Sequence, residues 1–284
     1  MIFVNDRKNN IIGFSCSTNL ELLAKSEIWF IDGTFKSAPK LYYQMFTIHT
    51  IKNEQYIPLL FILLPNKRQE SYSIAFEHIK KYFLDLNVTL NVKRILVDFE
   101  IAIHSAITAV WPTIEIKGCR FHLGQSWWRK IQELGLSAEY KDQSSELSQF
   151  LKHVFGLPFL DPNEVENAFV FDLMSCDVSN NSVVLKFATY LMDNYVMNYA
   201  LFPPRVWAES SNLMLRTTNS CEAFHSKFNS MFYSSHPNIF QFIEVIKNLQ
   251  CDVYIKIRSS GQLSKTTREK NLFLSQKLNA YKNG

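Results

Sequence analysis

Trp29-Phe30-Ile31-Asp32-Gly33-Thr34-Phe35 is the stretch that decides how this chain folds. Four residues of strand-forming type lead into a carboxylate, which is followed at once by glycine. Asp-Gly is a strong turn dipeptide, so one reading is a strand that simply ends in a turn. The other aims Asp32 from a rigid strand into a metal site, and it requires partner carboxylates further along the chain.

Outward from that stretch, the flanking pattern is regular. Leu41 to Ile51, dense in Tyr, Phe, Thr and Ile, predicts a second strand, and Gln55 to Leu64 a third, with a turn at Asn53-Glu54. Short links between the three predict an antiparallel meander. Tyr72, Phe76, Ile79 and Phe83 recur at helical spacing, which predicts a helix over 69–84. Arg94-Ile95-Leu96-Val97-Asp98 then reads as a short buried strand that follows a helix and so runs parallel to the first. A helix over 99–110 stops at Pro112, and Ile114 to Gly118 fits a fifth strand. From Phe121 to about Leu201 the pattern is helical throughout. One helix there begins at Asp161-Pro162-Asn163-Glu164, with Asp161 as N-cap, and another covers about 182–199. Final helices cover 219–231 and 238 to about 257.

The resulting organisation is α/β: a lead-in over 1–27, a first core segment over 28–125, an all-helical insertion over 126–215, core-completing helices over 216–258 and a polar, basic tail over 259–284. With 284 residues, 47% of them hydrophobic and 20% charged, a large core is expected and wholesale disorder is not. A net charge of +4 permits a polyanionic partner without arguing for one. Five cysteines, odd in number and widely spread, are unlike a secreted disulfide framework. No signal peptide is visible, and the longest apolar run, Ile57 to Leu64, is too short to span a bilayer and is interrupted by Pro58. The expectation is a soluble, intracellular protein with no membrane partner.

Asp98 is the first candidate partner for Asp32, at the end of a parallel strand, although an aspartate between strand and helix is also a good N-cap. Glu222 is the second. It reads either as the third residue of a capping box begun by Asn219, or as part of a polar edge with His225 on a helix whose Phe224, Phe228 and Met231 form an apolar stripe. Cys119-Arg120-Phe121-His122 has metal-ligand spacing, and His225, with Cys221, could complete a zinc site. His49, His78, His104, His153 and His236 read as structural or surface histidines. There is no Gly-x-Ser-x-Gly elbow and no P-loop, and eight glycines leave little for phosphate-cradling loops.

Assembled in order, these segments resemble the transposase domain of Mutator-like elements (the MULE family), in the animal form associated with FLYWCH-type zinc fingers. The likeness is carried by Trp29 to Lys36, Leu64-Pro65-Asn66-Lys67, Val97-Asp98-Phe99-Glu100, Ile116 to Gln125, Arg216 to His225 and Ser235 to Ile239. It departs at Ala223 and Phe224, where the family pattern has glycine and tryptophan. The resemblance implies an RNase H-like fold, a mixed five-stranded sheet with flanking helices and a large all-helical insertion before the last catalytic helix. It implies a catalytic triad of Asp32, Asp98 and Glu222 holding two Mg2+ or Mn2+ ions, with DNA phosphodiester hydrolysis and strand transfer as the reaction. Cys119, His122 and His225 fall on the family's Cys-x2-His and Glu-x2-His positions, as a zinc or structural cluster. DNA is the implied partner, with a homo-oligomer as the active assembly and the nucleus as the location. The alternative is a domesticated or truncated descendant that acts as a non-catalytic DNA- or chromatin-binding module.

Overall fold

The computed structural model describes residues 2–53, 55–142, 145–175, 181–209 and 219–259, with a few isolated helical residues beyond; the side chains of 219–222 lie outside the described set. The chain divides into two compact units, Met1–Ile116 with Thr218–Lys270 and Lys117–Thr217 with Asn271–Gly284.

The first unit opens with a hairpin of β1 (Ile2–Asp6) and β2 (Ile11–Phe14), then α1 (Ser17–Lys25). The meander follows as β3 (Ile28–Thr34), β4 (Gln44–Lys52) and β5 (Gln55–Leu64). Next come α2 (Gln69–Asp85), β6 (Arg94–Val97), α3 (Ile101–Val110) and β7 (Glu115–Gly118). The sheet has seven strands in the order β1-β2-β5-β4-β3-β6-β7, not the five expected. The two additional strands come from the segment read as a lead-in. Its strands, of five and four residues, are too short for the pattern to settle, although Ile11-Ile12-Gly13-Phe14 is apolar. They exist because β2 pairs antiparallel with the edge of β5, and because the intervening turn is closed by Asp6, whose Oδ1 and Oδ2 accept from Asn9 at 3.0 and 2.8 Å.

β4 and β5 are buried almost end to end, because both faces of the sheet are covered. Ile31, Phe46, Ile48, Leu60, Ile62 and Leu64 face one core, shared with Leu20 and Leu23 of α1, Phe76 and Ile79 of α2 and Ile107 of α3. The alternate residues Met45, Phe61 and Leu63 face a second core, built with Phe228, Phe242 and Ile246. Pro58 sits in the middle of a paired strand without breaking it, because β4 and β5 shift register between Ile48 and His49, where His49 stands opposite Pro58.

Within the second unit lie α4 (Arg120–Glu133), α5 (Ser137–Lys141), α6 (Glu146–Val154), α7 (Val165–Asn167), α8 (Ser182–Leu191) and α9 (Pro204–Trp207). Buried Trp127 gathers Phe155, Tyr195 and Trp207 edge-on, at 5.7, 5.9 and 5.6 Å between ring centroids. Asp161 does not cap a helix as expected: its Oδ1 accepts from Asn163 N–H at 2.9 Å in a turn, and α7 begins later, at Val165. Both α7 and α8 pass into single π-helical stretches, Ala168–Leu173 and Met192–Val196.

The chain returns to the first unit with α10 (Asn219–Ser230) and α11 (Ile239–Arg258), the latter opened by a full capping box of Asn238 and Gln241. These two helices cover the Met45/Phe61 face of the sheet. Glu54 of the expected turn, the block from 210 to 218 and most of the tail lie outside the described residues.

Candidate active site

β3 and β6 pair in parallel, with Ile28 opposite Arg94, Trp29 opposite Ile95 and Phe30 opposite Leu96. The same offset carried two residues further sets Asp32 level with Asp98. Side chains alternate along a strand, so Phe30 and Asp32 share a face, as do Leu96 and Asp98. Neighbouring strands lie about 4.8 Å apart. By that extension beyond the paired residues, both aspartates fall toward the carboxyl ends of adjacent parallel strands, on one face.

Asp32 is buried, at 7% exposure, on the sheet face covered by α10. Its Oδ1 accepts from the Gly33 backbone N–H at 2.9 Å, and its Oδ2 lies 3.1 Å from His225 Nδ1. The other ring nitrogen of His225 is 2.9 Å from Thr47 Oγ1. Thr47 stands directly across the sheet from Asp32, and His49 across from Phe30. His49 Nε2 is 2.8 Å from the same Thr47 hydroxyl, which also lies 3.2 Å from the Asp32 carbonyl oxygen. Four polar side chains therefore form a buried chain: Asp32, His225, Thr47, His49. Burial holds the His49 pKa well below its ordinary value, with neighbouring His225 and Lys256 acting in the same direction.

What places His225 there is the apolar stripe of α10. Phe224 stacks on Phe228 at 5.6 Å, Phe228 on Phe61 of β5 at 6.1 Å, and Phe242 of α11 meets Phe228 edge-on at 6.0 Å. With that stripe down on β5, the next residue along from Phe224 reaches β3 and β4.

Asp98 is held locally. Its Oδ1 accepts from Phe99 N–H at 2.6 Å, and its carbonyl oxygen accepts from His104 Nε2 of α3 at 2.9 Å. Burial lowers the His104 pKa, against the opposing effect of its bond to Asp98. Two residues on, Glu100 accepts from Lys67 Nζ at 2.9 Å and from the Tyr72 hydroxyl at 3.3 Å, while Gln44 Nε2 donates to that hydroxyl at 2.8 Å. Burial pushes the Tyr72 pKa far above its usual value, so the hydroxyl keeps its proton and remains a donor. Lys67 also lies 4.9 Å from the ring centroid of Phe35, which meets Tyr43 edge-on at 5.4 Å. Phe35 and Tyr43 are 40% and 53% exposed, which leaves a basic, aromatic rim beyond Asp32.

Glu222 lies in the first turn of α10, one turn before His225, and its side chain and that of Cys221 lie outside the described residues. Cys119, buried, is the N-cap of α4, and His122 falls in its first turn. His225, expected as a third ligand with that pair, has Nε2 in a hydrogen bond with Thr47 and Nδ1 3.1 Å from Asp32 Oδ2, so both ring nitrogens face other partners in this arrangement. Among the described residues no group of three His, Cys, Asp or Glu side chains is placed to hold a metal ion.

Thr47 was not among the residues singled out from sequence, and His49 was read there as a structural or surface histidine with no partner named. The signal for them is two polar side chains at alternate positions of an otherwise apolar stretch, Met45-Phe46-Thr47-Ile48-His49, on the strand that pairs antiparallel with that of Asp32. Glu100 and Lys67 lie in blocks that carry the family likeness, with no role attached. Among the described residues no helix is long and apolar enough to cross a membrane.

A comparison with curated proteins gives no match. Residues 28–126, which hold β3 to β7 and both aspartates, match the family model of the MULE transposase domain, and this segment is similar to that domain.

Proposed function

We propose that this chain is a DNA transposase catalytic domain of MULE type, in which Asp32, Asp98 and Glu222 hold divalent metal and DNA phosphodiesters are cut and joined. The observation that carries the reading is the parallel pairing of β3 and β6, whose register, carried two residues on, brings Asp32 and Asp98 to neighbouring positions inside the segment that matches the family model. The order β5-β4-β3-β6-β7, with β3 antiparallel to β4 and parallel to β6, supports an RNase H-like core extended by the β1–β2 hairpin. The finer likeness, to animal members associated with FLYWCH-type fingers, rests on the ordered sequence blocks alone.

The donor set suits Mg2+ or Mn2+, which favour carboxylate oxygens. Asp32 and Asp98 each give one oxygen to a backbone N–H, which helps to fix the carboxylate plane. Bound there, two such ions would activate a water or a 3′-hydroxyl and stabilise the leaving oxygen of an in-line displacement. The protein's own part is to aim the carboxylates and receive the strand. Lys67, held by Glu100, supplies positive charge beside the site, and exposed Phe35 and Tyr43 offer ring faces on which a base can stack. Cys119 and His122 are given no metal in this reading.

The test is a cleavage and strand-transfer assay of the full chain on labelled duplex DNA with Mn2+. Wild-type protein yields metal-dependent products, while Asp32→Asn, Asp98→Asn and Glu222→Gln each yield none. Products at the wild-type level from Asp32→Asn or Asp98→Asn would overturn the roles assigned to them.

A further inference from the structure

We propose that Thr47 and His49 of β4 are positioning residues for Asp32, acting through His225; the assignment rests on Asp32 being the metal-binding carboxylate described above. Three groups converge on the Thr47 hydroxyl: the Asp32 carbonyl oxygen at 3.2 Å, His225 Nε2 at 2.9 Å and His49 Nε2 at 2.8 Å. A hydroxyl donates once and accepts twice, so the protons around it can be assigned.

His49 is fully buried and its Nδ1 has no hydrogen-bond partner. Burial holds it neutral, with one proton. A proton on Nδ1 would be a buried donor facing no acceptor, so the proton sits on Nε2 and is donated to Thr47 Oγ1. The Thr47 proton then goes either to His225 Nε2 or to the Asp32 carbonyl. In the first case His225 is neutral and carries its proton on Nδ1. In the second its Nε2 donates to Thr47 and both ring nitrogens are protonated. Both arrangements put a proton on Nδ1, facing Asp32 Oδ2 at 3.1 Å. The remaining possibility, a neutral ring protonated only on Nε2, would set a bare lone pair against a carboxylate.

The consequence is mechanical. His225 arrives on a helix, whereas Thr47 and Asp32 are cross-strand neighbours in one sheet. Bonding to both clamps the imidazole to the sheet, and the clamp holds Oδ2 while Gly33 N–H holds Oδ1. The carboxylate is then fixed at both oxygens, and the lone pairs left over point in set directions. A threonine that merely fills the core would do none of this through its hydroxyl.

The experiment compares full-length wild type, Thr47→Val, Thr47→Ser and Asp32→Asn in two measurements. The first is 15N NMR of histidine-labelled protein without metal. Thr47→Val, which keeps the shape and loses the hydroxyl, moves the His225 Nε2 resonance, and Thr47→Ser restores it; unchanged His225 resonances in Thr47→Val overturn the proposal. The second is Mn2+ affinity followed by electron paramagnetic resonance. Thr47→Val weakens it by roughly tenfold to a hundredfold, and Thr47→Ser recovers it. Equal affinity of Thr47→Val and wild type, with Asp32→Asn impaired, overturns the positioning role. If Asp32→Asn itself binds Mn2+ like wild type, the reading of Asp32 as a ligand fails, and the NMR measurement alone decides whether Thr47 sets His225.

Discussion

Asp32, within the last paired residues of β3, and Asp98, just past β6, lie toward the carboxyl ends of neighbouring parallel strands, yet the contacts described for them differ in reach along the chain. Both use the next backbone N–H to hold Oδ1. Beyond that, the contact described for Asp98 is with His104, only six residues on, in the helix that its own strand leads into. Asp32 relies on Thr47 across the hairpin and on His225 near the other end of the chain, which itself lies 178 residues from its partner Thr47. The contacts described around Asp98 lie within β6, α3 and the link between them. The Asp32 end is complete only once α10 has returned and laid its phenylalanine stripe on β5. A carboxylate built that way is tied to the finished fold, because forming its surroundings requires closure of the whole intervening chain.

The comparison is broken most directly at the two histidines. His225→Ala strands a buried carboxylate whose Oδ2 loses its donor, and the loss expected is about 3–5 kcal/mol of unfolding free energy, as for other buried pairs deprived of one partner. His104→Ala removes one bond to a backbone carbonyl from a half-buried site, for which about 1–2 kcal/mol is expected. Urea unfolding of both variants at neutral pH measures the order. Amide hydrogen exchange adds where the loss falls: His225→Ala loosens β3 and β4 while sparing β6 and α3, and His104→Ala does the reverse. A His104→Ala loss as large as that of His225→Ala would mean that the Asp98 end is no more local than the other.

The same contrast explains what was legible in the sequence. Asp32 and Asp98 are visible because each sits where a strand-type run stops, and the strands themselves show through dense β-branched and aromatic residues. The meander over β3 to β5 and the helix α2 are equally plain, their periods of two and 3.6 being local properties. Thr47 and His49 carry no such mark. Their importance lies in which residue of β3 stands opposite, a register that only pairing settles. His225 was visible as a polar residue on an apolar helix, but its spacing from Glu222 and its kinship with Cys119 and His122 suggested a ligand, while the structure engages both of its nitrogens with Asp32 and Thr47. The hairpin β1–β2 escaped because its strands are short and depend on pairing with the β5 edge as well as on their own Asp6/Asn9 turn. The π-helical stretches over 168–173 and 192–196 escaped because a bond to the fifth residue along leaves no composition of its own.

The smallest effect sharpens the comparison from the Asp32 side, through pH. His49 closes the polar chain behind Asp32, and burial depresses its pKa well below the ordinary histidine value. In the unfolded chain His49 takes up a proton as the pH falls through about 6.5, while in the folded protein it does not until much lower pH. The unfolded state therefore binds more protons in that window. The contribution of neutral His49 is fully present above the unfolded pKa and is lost progressively as the pH falls toward the folded one. Between pH 7 and pH 6 the linked loss is under about 1 kcal/mol, with a slope that approaches but does not exceed about 1.4 kcal/mol per pH unit at lower pH. His49→Gln retains an N–H that can reach Thr47 and does not titrate, so its stability should change less over the same range than that of wild type. Unfolding curves taken at steps from pH 7 to pH 5 read this as a difference in slope, independent of any constant offset from the substitution. Parallel slopes for the two proteins would show that His49 takes up its proton in the folded state as readily as in the unfolded one, and the buried chain behind Asp32 would then be open to water.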